Sequence, residues 1–87
     1  MRYMVVETFR GGNAKAVYQR FKQFGRLAPE RLTYVASWVS ADGDRCWQIM
    51  ECEERRLLDE WIARWVDVID FDVVPIISSA EAAERFG

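Results

Sequence analysis

Two glutamates, Glu51 and Glu7, are the side chains of this sequence with the clearest potential for acid–base chemistry. Each lies near the end of a strand-like segment, and Glu51 faces Tyr34 in the expected hairpin. Burial raises the pKa of a carboxyl group, so that it can exchange a proton near neutral pH. We expect the two strands to be adjacent and parallel, which would bring both carboxylates to one end of the sheet as a coupled pair. In the structural alternative, Glu51 bonds to Tyr34 or an arginine and Glu7 is solvated at the sheet edge.

The chain contains no histidine, and this absence removes several kinds of site. No Ser-His-Asp or Cys-His arrangement can form, and no imidazole can bind zinc. Cys46 and Cys52 lie on one expected strand, where a rise of roughly 3.3 Å per residue separates them by about 20 Å. That separation is too large for a disulfide or a shared metal. We expect two small buried apolar side chains, and no metal or other cofactor.

Aromatic residues are the next candidates, and an Asp-Gly pair at positions 42 and 43 predicts how they are placed. Such a pair favours a tight hairpin turn, which sets the register of the flanking strands. Trp38 should then face Trp47, and Tyr34 should face Glu51. Alternation divides the hairpin into one face with Tyr34, Ala36, Trp38, Trp47, Ile49 and Glu51 and another with Val35, Ser37, Val39, Cys46, Gln48 and Met50. The two tryptophans either pack as a pair or line a pocket for a flat ligand, and Tyr18 adds a hydroxyl to a sheet–helix cleft.

The elements that must position these residues follow the order β-α-β-β-α-β. Strand patterns cover residues 2–9, 32–39, 46–52 and about 70–77. The first helix should begin after an N-cap at Asn13 and stop at Gly25, and the second should follow Glu53 and Glu54. This order predicts an α+β, ferredoxin-like sheet in the order 4-1-3-2, with both helices on one face and strands 1 and 3 central and parallel. Pro75 favours an edge position for the last strand.

The chain length of 87 residues indicates one domain. We assign residues 1–78 to it and residues 79–87 to a short C-terminal helical tail, which a capping box at Ser78 and Glu81 would start. As much as 51% of the sequence is hydrophobic, and both faces of the expected hairpin are apolar. Helices on one side leave the second apolar face uncovered, so we expect a homodimer.

The charge pattern argues against nucleic acid as a partner. The net charge is −2, and the basic residues of the first half are scattered around the first helix instead of forming one basic face. No run approaches the roughly 20 apolar residues of a membrane span. No signal peptide pattern precedes the first strand. We therefore expect a cytoplasmic protein that binds neither nucleic acid nor membranes.

Four motifs, taken together, resemble a known family. They are Trp38-Val-Ser-Ala-Asp-Gly, Cys46-Trp-Gln-Ile-Met-Glu, Glu60-Trp-Ile-Ala-Arg-Trp and Phe71-Asp-Val-Val-Pro. They are similar to a small bacterial family called domain of unknown function DUF3303, over Tyr3 to about Ile77. That family resembles the dimeric α+β barrel superfamily, in which two ferredoxin-like sheets pack face to face.

The resemblance implies several functions and assigns no catalytic residue. The superfamily includes cofactor-independent monooxygenases, lactone isomerases and heme-degrading enzymes; the last group binds iron through a histidine, which this chain lacks. Our first hypothesis is a homodimer that binds a small organic molecule in a sheet–helix cleft, with contacts from Glu51, Tyr34, Trp38 and Trp47. The alternatives are a non-catalytic sensor or interaction module and a monooxygenase- or isomerase-like enzyme that works by proton transfer.

Overall fold

The computed structural model describes residues 1–87 and contains one four-stranded sheet and three α-helices. The elements are β1 (Arg2–Phe9), α1 (Ala14–Phe24), β2 (Thr33–Val39), β3 (Arg45–Glu51), α2 (Arg55–Ala63), β4 (Ile69–Ile76) and α3 (Ser79–Phe86). The α+β class and the element order agree with the sequence pattern. No helix combines the length and the apolar character that a membrane crossing requires.

The strands are arranged in the order β2-β3-β1-β4, which is 4-1-3-2 counted from the other edge. All neighbouring strands are antiparallel, so the expectation of parallel strands 1 and 3 is wrong. The chain returns through α1, so β2 runs in the direction of β1, and the hairpin then reverses β3. Glu7 therefore lies opposite Cys46, and Glu51 lies opposite Arg2 at the far end of the strand pair. Pro75 lies on the edge strand β4, as predicted.

The register of the β2–β3 hairpin is partly as predicted. Trp38 lies opposite Trp47, in agreement with the Asp-Gly turn. Beyond this pair the register shifts just after Tyr34, which lies opposite Met50 instead of Glu51. One extra residue in β2 produces a β-bulge, and a one-residue shift moves a side chain to the other face of a sheet. The expected Tyr34–Glu51 pair is therefore wrong.

Capping bonds confirm the predicted ends of α1 and the predicted start of α3, whereas α2 starts after Glu54 without a side-chain capping bond. Oδ1 of Asn13 accepts a hydrogen bond from the backbone N–H of Ala16 at 3.1 Å. Gly25 ends α1 with a φ of 71°, a left-handed conformation that glycine adopts without steric cost. Ser78 Oγ accepts from the backbone N–H of Glu81 at 3.1 Å, which is the backbone half of the predicted capping box.

The hydrophobic core lies between one face of the sheet and the helices α1 and α2. Its buried residues are Tyr3, Val5, Phe9, Val17, Leu32, Cys46, Met50, Cys52, Leu57, Leu58, Trp61, Trp65 and Ile69. Odd-numbered residues of β1 point into this core, whereas even-numbered ones point to the opposite face, which α1 and α2 do not cover. We call that second side the open face.

The open face is apolar in its centre. It carries Met4, Val6, Ala36, Trp38, Trp47, Ile49, Val74 and Ile76. The side chain of Trp38 is 58% exposed, and Val74 is 45% exposed. Both faces of the sheet are therefore apolar in the folded chain, but only one of them is buried.

Candidate functional site

A cleft of about 110 Å³ lies between the core-facing side of the sheet and the helices. Its lining residues are Glu7, Phe9, Ser37, Val39, Cys46, Gln48 and Ile69 from the sheet, Val17, Tyr18 and Phe21 from α1, Trp61 from α2, and Arg26 and Trp65 from the segments that follow these helices. Nine of the 13 are hydrophobic, so the few polar groups in it determine which molecules it can bind.

Glu7 is the one carboxyl group of this cleft. It lies among the inward-pointing residues of β1 and is only 5% exposed, although its neighbours on that face are apolar. Its Oε2 accepts a hydrogen bond of 2.7 Å from Nε2 of Gln48, which lies diagonally across on β3. Its Oε1 receives no hydrogen bond from the protein and keeps some solvent contact. One carboxyl oxygen is therefore held by the fold, and the other has no hydrogen-bond partner in the protein.

Gln48 connects Glu7 to a cation. Its Oε1 accepts a hydrogen bond of 2.7 Å from Nε of Arg26, while its Nε2 donates to Glu7. An arginine can only donate, so this contact determines which way the amide of Gln48 points. The result is a chain of two short hydrogen bonds, Arg26 to Gln48 to Glu7, across the cleft.

Burial changes the acidity of Glu7. Loss of contact with water raises its pKa from an ordinary 4.5 to about 7, while the bond from Gln48 and the positive charge of Arg26 act in the opposite direction. A carboxyl group with a pKa near 7 exists in both protonation states at neutral pH. Glu7 can therefore accept a hydrogen bond or a proton from a ligand, or donate one to it.

Two other ionisable groups face Glu7. Burial, with a smaller contribution from the negative charge of Glu7, raises the pKa of the Cys46 thiol to about 12. Cys46 therefore remains a protonated, weakly nucleophilic side chain of the cleft wall. Partial burial also raises the pKa of Tyr18, which is 44% exposed, with additional contributions from Cys46 and Glu7, so its hydroxyl is a neutral donor or acceptor. The ring of Tyr18 packs edge to face on Phe9, with a centroid distance of 6.0 Å.

The structure places the site residues predicted from the sequence in two different regions. Glu7 and Tyr18 line the cleft, whereas Glu51, Trp38 and Trp47 do not, because they belong to the open face. Glu51 accepts a hydrogen bond from Nε of its neighbour across the strands, Arg2, at 2.9 Å, and its side chain is 47% exposed. The expected Glu7–Glu51 pair is wrong, since the antiparallel strands place these residues at opposite ends and on opposite faces.

Tyr34 lies beside the cleft because the bulge turns it toward the helices. Its hydroxyl is 2.8 Å from Oγ of Ser37, and its ring packs against the guanidinium of Arg26. Gln48 and Arg26 are the site residues that sequence reasoning missed. Gln48 had a signal, since it is a polar residue between Cys46 and Met50 on a largely apolar face. Arg26 had none, because it lies in a loop whose path depends on the tertiary structure.

We expect replacement of Glu7 by Gln to change how stability depends on pH. In the folded protein Glu7 binds its proton more tightly than in the unfolded chain, so the stabilisation from protonation is complete below about pH 4.5 and is lost as the pH rises to about 7. As the pH rises from about 4.5 to about 7, the native protein loses this stabilisation and E7Q does not. The free energy of unfolding of E7Q minus that of the native protein, measured by urea denaturation, should therefore increase by on the order of 3 kcal/mol.

The variant Glu51→Gln controls for the loss of one negative charge at an exposed ion pair. If the difference between E7Q and the native protein is constant from pH 4.5 to pH 8, Glu7 does not titrate differently in the folded and unfolded chains.

Comparisons with known proteins give one match. The family described as Domain of unknown function (DUF3303) matches residues 1–87, so it includes the last ten residues, which the motif resemblance left outside. Neither a curated protein nor a solved structure matches the chain. The metal-ligating residue types His, Cys, Asp and Glu form no group of three or more that could hold an ion. The match over the full chain means that this protein belongs to the DUF3303 family.

Proposed function

We propose that this protein binds a small organic molecule in the cleft between the sheet and α1. The observation that supports this proposal best is the partly buried Arg26–Gln48–Glu7 chain of hydrogen bonds at an otherwise apolar cleft. Small-molecule sites combine apolar walls with a few fixed polar groups, which orient the ligand. Only one of the two carboxyl oxygens of Glu7 is bonded within the protein, so the other can bond to a ligand.

The size of the cleft limits the ligand to about one ring. Its volume is about 110 Å³, and an engineered protein cavity of about 150 Å³ binds benzene. The walls suit a flat apolar body, since Phe9, Phe21, Trp61 and Trp65 contribute aromatic surface. A hydroxyl or carbonyl group on such a ring can exchange a hydrogen bond with Glu7, which acts as acceptor when ionised and as donor when protonated.

A second candidate function is a proton-transfer enzyme, and the acidity of Glu7 favours it. A general base works best with a pKa near the working pH, and burial raises the pKa of Glu7 to about 7. The carboxylate would remove a proton from a carbon beside a carbonyl group, which leaves an enolate, and the protonated Glu7 would return the proton to the same carbon or to the far carbon of an adjacent C=C bond, which then shifts into conjugation. Such a proton exchange or isomerisation needs no oxidant, because the atoms and electrons balance within the substrate. If turnover is absent, the cleft would serve a sensor or an interaction module.

We also propose that the open face pairs with the open face of a second copy. Its apolar centre, with Trp38 more than half exposed, resembles the surfaces that soluble proteins cover by association. Arg45 and Asp72 point to this face, and neither forms an ion pair within its own chain. In a two-fold dimer the same patch meets itself, so Arg45 of one copy can approach Asp72 of the other.

Binding in the cleft can be tested with benzyl alcohol and the four tryptophan indole N–H signals in a ¹H–¹⁵N spectrum. Trp61 and Trp65 line the cleft, whereas Trp38 and Trp47 lie on the open face and act as internal controls. We expect the first pair of signals to shift with a Kd of about 1 mM, the affinity typical of so small a molecule.

The matched variants for this binding test are Val17→Phe and Val66→Phe. The first places a larger side chain into the cleft and should abolish the shifts, while the second adds the same ring at an exposed position and should leave them unchanged. Shifts confined to Trp38 and Trp47, or none at all, would contradict binding in the cleft.

The enzyme candidate can be tested with phenylacetone in D₂O. We expect the native protein to accelerate exchange of the protons beside the carbonyl group, followed by NMR, and E7Q to lose most of this acceleration because an amide cannot accept the proton. Exchange at the uncatalysed rate with the native protein would reject this activity for aryl ketones and leave the binding proposal standing.

The homodimer can be tested by sedimentation of the native chain and two charge variants. Trp38→Glu places a charge at the proposed interface and should convert a dimer into a monomer at micromolar concentration. Phe24→Glu is the control, because Phe24 is a 59% exposed aromatic residue of α1, away from the open face. A native chain that sediments as a monomer, or a dimer that Trp38→Glu leaves intact, would reject the open face as the interface.

A further inference from the structure

Arg26 is held in place by its backbone. Its carbonyl oxygen accepts two indole N–H bonds, from Trp61 at 3.0 Å and from Trp65 at 2.9 Å. The residues on either side, Gly25 and Leu27, have φ angles of 71° and 62°, in the left-handed region. This conformation is strained for leucine, and such strain persists only where the surrounding contacts enforce it. The segment after α1 therefore presents the side chain of Arg26 to the cleft in a defined position.

Three contacts orient the guanidinium of Arg26. Its Nε donates to Gln48, and its central carbon lies 3.8 Å from the ring centroid of Tyr34 and 5.2 Å from that of Phe21. These contacts restrict the plane of the group through cation–π interactions. They leave Nη1 and Nη2 without any hydrogen-bond acceptor from the protein.

The positive charge of Arg26 has no direct counter-charge. Most arginines of the chain, such as Arg2, Arg10 and Arg20, form an ion pair, but Arg26 forms none. Glu7 is the carboxyl group of the same cleft, but the amide of Gln48 lies between the two and bonds to both. A cation that lines a mostly apolar cleft with two free N–H-bearing nitrogens is suited to receive an anion.

We infer that the ligand of the cleft is a monocyclic aromatic carboxylate, with its carboxylate bound by Nη1 and Nη2 of Arg26 and its ring among the aromatic side chains. This inference rests on the proposed binding function and specifies its ligand. The planar guanidinium matches a carboxylate with two parallel hydrogen bonds, and the cleft volume allows one ring. The opposite end of such a ring can meet Glu7, so the two charged residues would recognise different groups of one molecule.

The test compares benzoate with benzyl alcohol, which has the same ring and no charge, by the indole signals of Trp61 and Trp65. We expect benzoate to bind about tenfold more tightly to the native protein. In Arg26→Met the benzoate affinity should fall at least tenfold, while that for benzyl alcohol stays within about twofold. Arg26→Lys should give an intermediate affinity for benzoate, because it keeps the charge but lacks the planar fork.

The control variant is Lys22→Met, since Lys22 is also free of ion pairs but lies exposed on α1, outside the cleft and away from the open face. It should leave both affinities unchanged. The Arg26 variants keep the carbonyl that the two indoles bind, so unchanged Trp61 and Trp65 signals without ligand show that the segment is still folded. If benzyl alcohol binds as tightly as benzoate, or if Arg26→Met weakens both equally, the inference is wrong and the proposed binding function stands. If neither compound binds, both are wrong.

Discussion

The sheet is apolar on both faces, and the two crossover helices cover only one of them. Burial of apolar surface is the main force that stabilises the fold, so this asymmetry divides the molecule into a core side and an open face. Glu7 and Gln48 fall on the core side because of their position in the strand alternation. A buried polar group is costly unless it is hydrogen-bonded, which explains why these two bond to each other and why Gln48 bonds to Arg26.

In the loop after α1, Arg26 contacts the core through its backbone and the cleft through its side chain. Tryptophan N–H groups need an acceptor when they are buried, and both Trp61 and Trp65 use the carbonyl of Arg26. Trp65 lies beyond the end of α2, so the two indoles come from a helix and from the turn after it. The backbone of Arg26 therefore anchors the loop to the core, while its side chain supplies charge to the cleft. The contacts that bury the two indoles therefore also fix the position from which the guanidinium of Arg26 reaches the cleft.

The local features were predictable because short-range chemistry determines them. Asn13 caps α1, Gly25 ends it, and the Asp-Gly turn sets Trp38 opposite Trp47. The predictions were wrong where they depended on the arrangement of residues that are distant in the chain. The direction of β3 depends on how the chain returns through α1. The position of Tyr34 depends on a bulge in β2 that no residue of the turn predicts.

The sequence by itself determined the α+β class, the element order, the two apolar faces of the hairpin and the lack of any imidazole chemistry. Only the tertiary structure decided which of the two glutamates is buried. Glu7 and Glu51 have the same side chain and similar strand contexts, but one points to the helices and the other pairs with Arg2 in solvent. The acidity of a carboxyl group depends on its solvation and on nearby charges, and those neighbours come from β3 and from the loop after α1, which are distant from Glu7 in the chain.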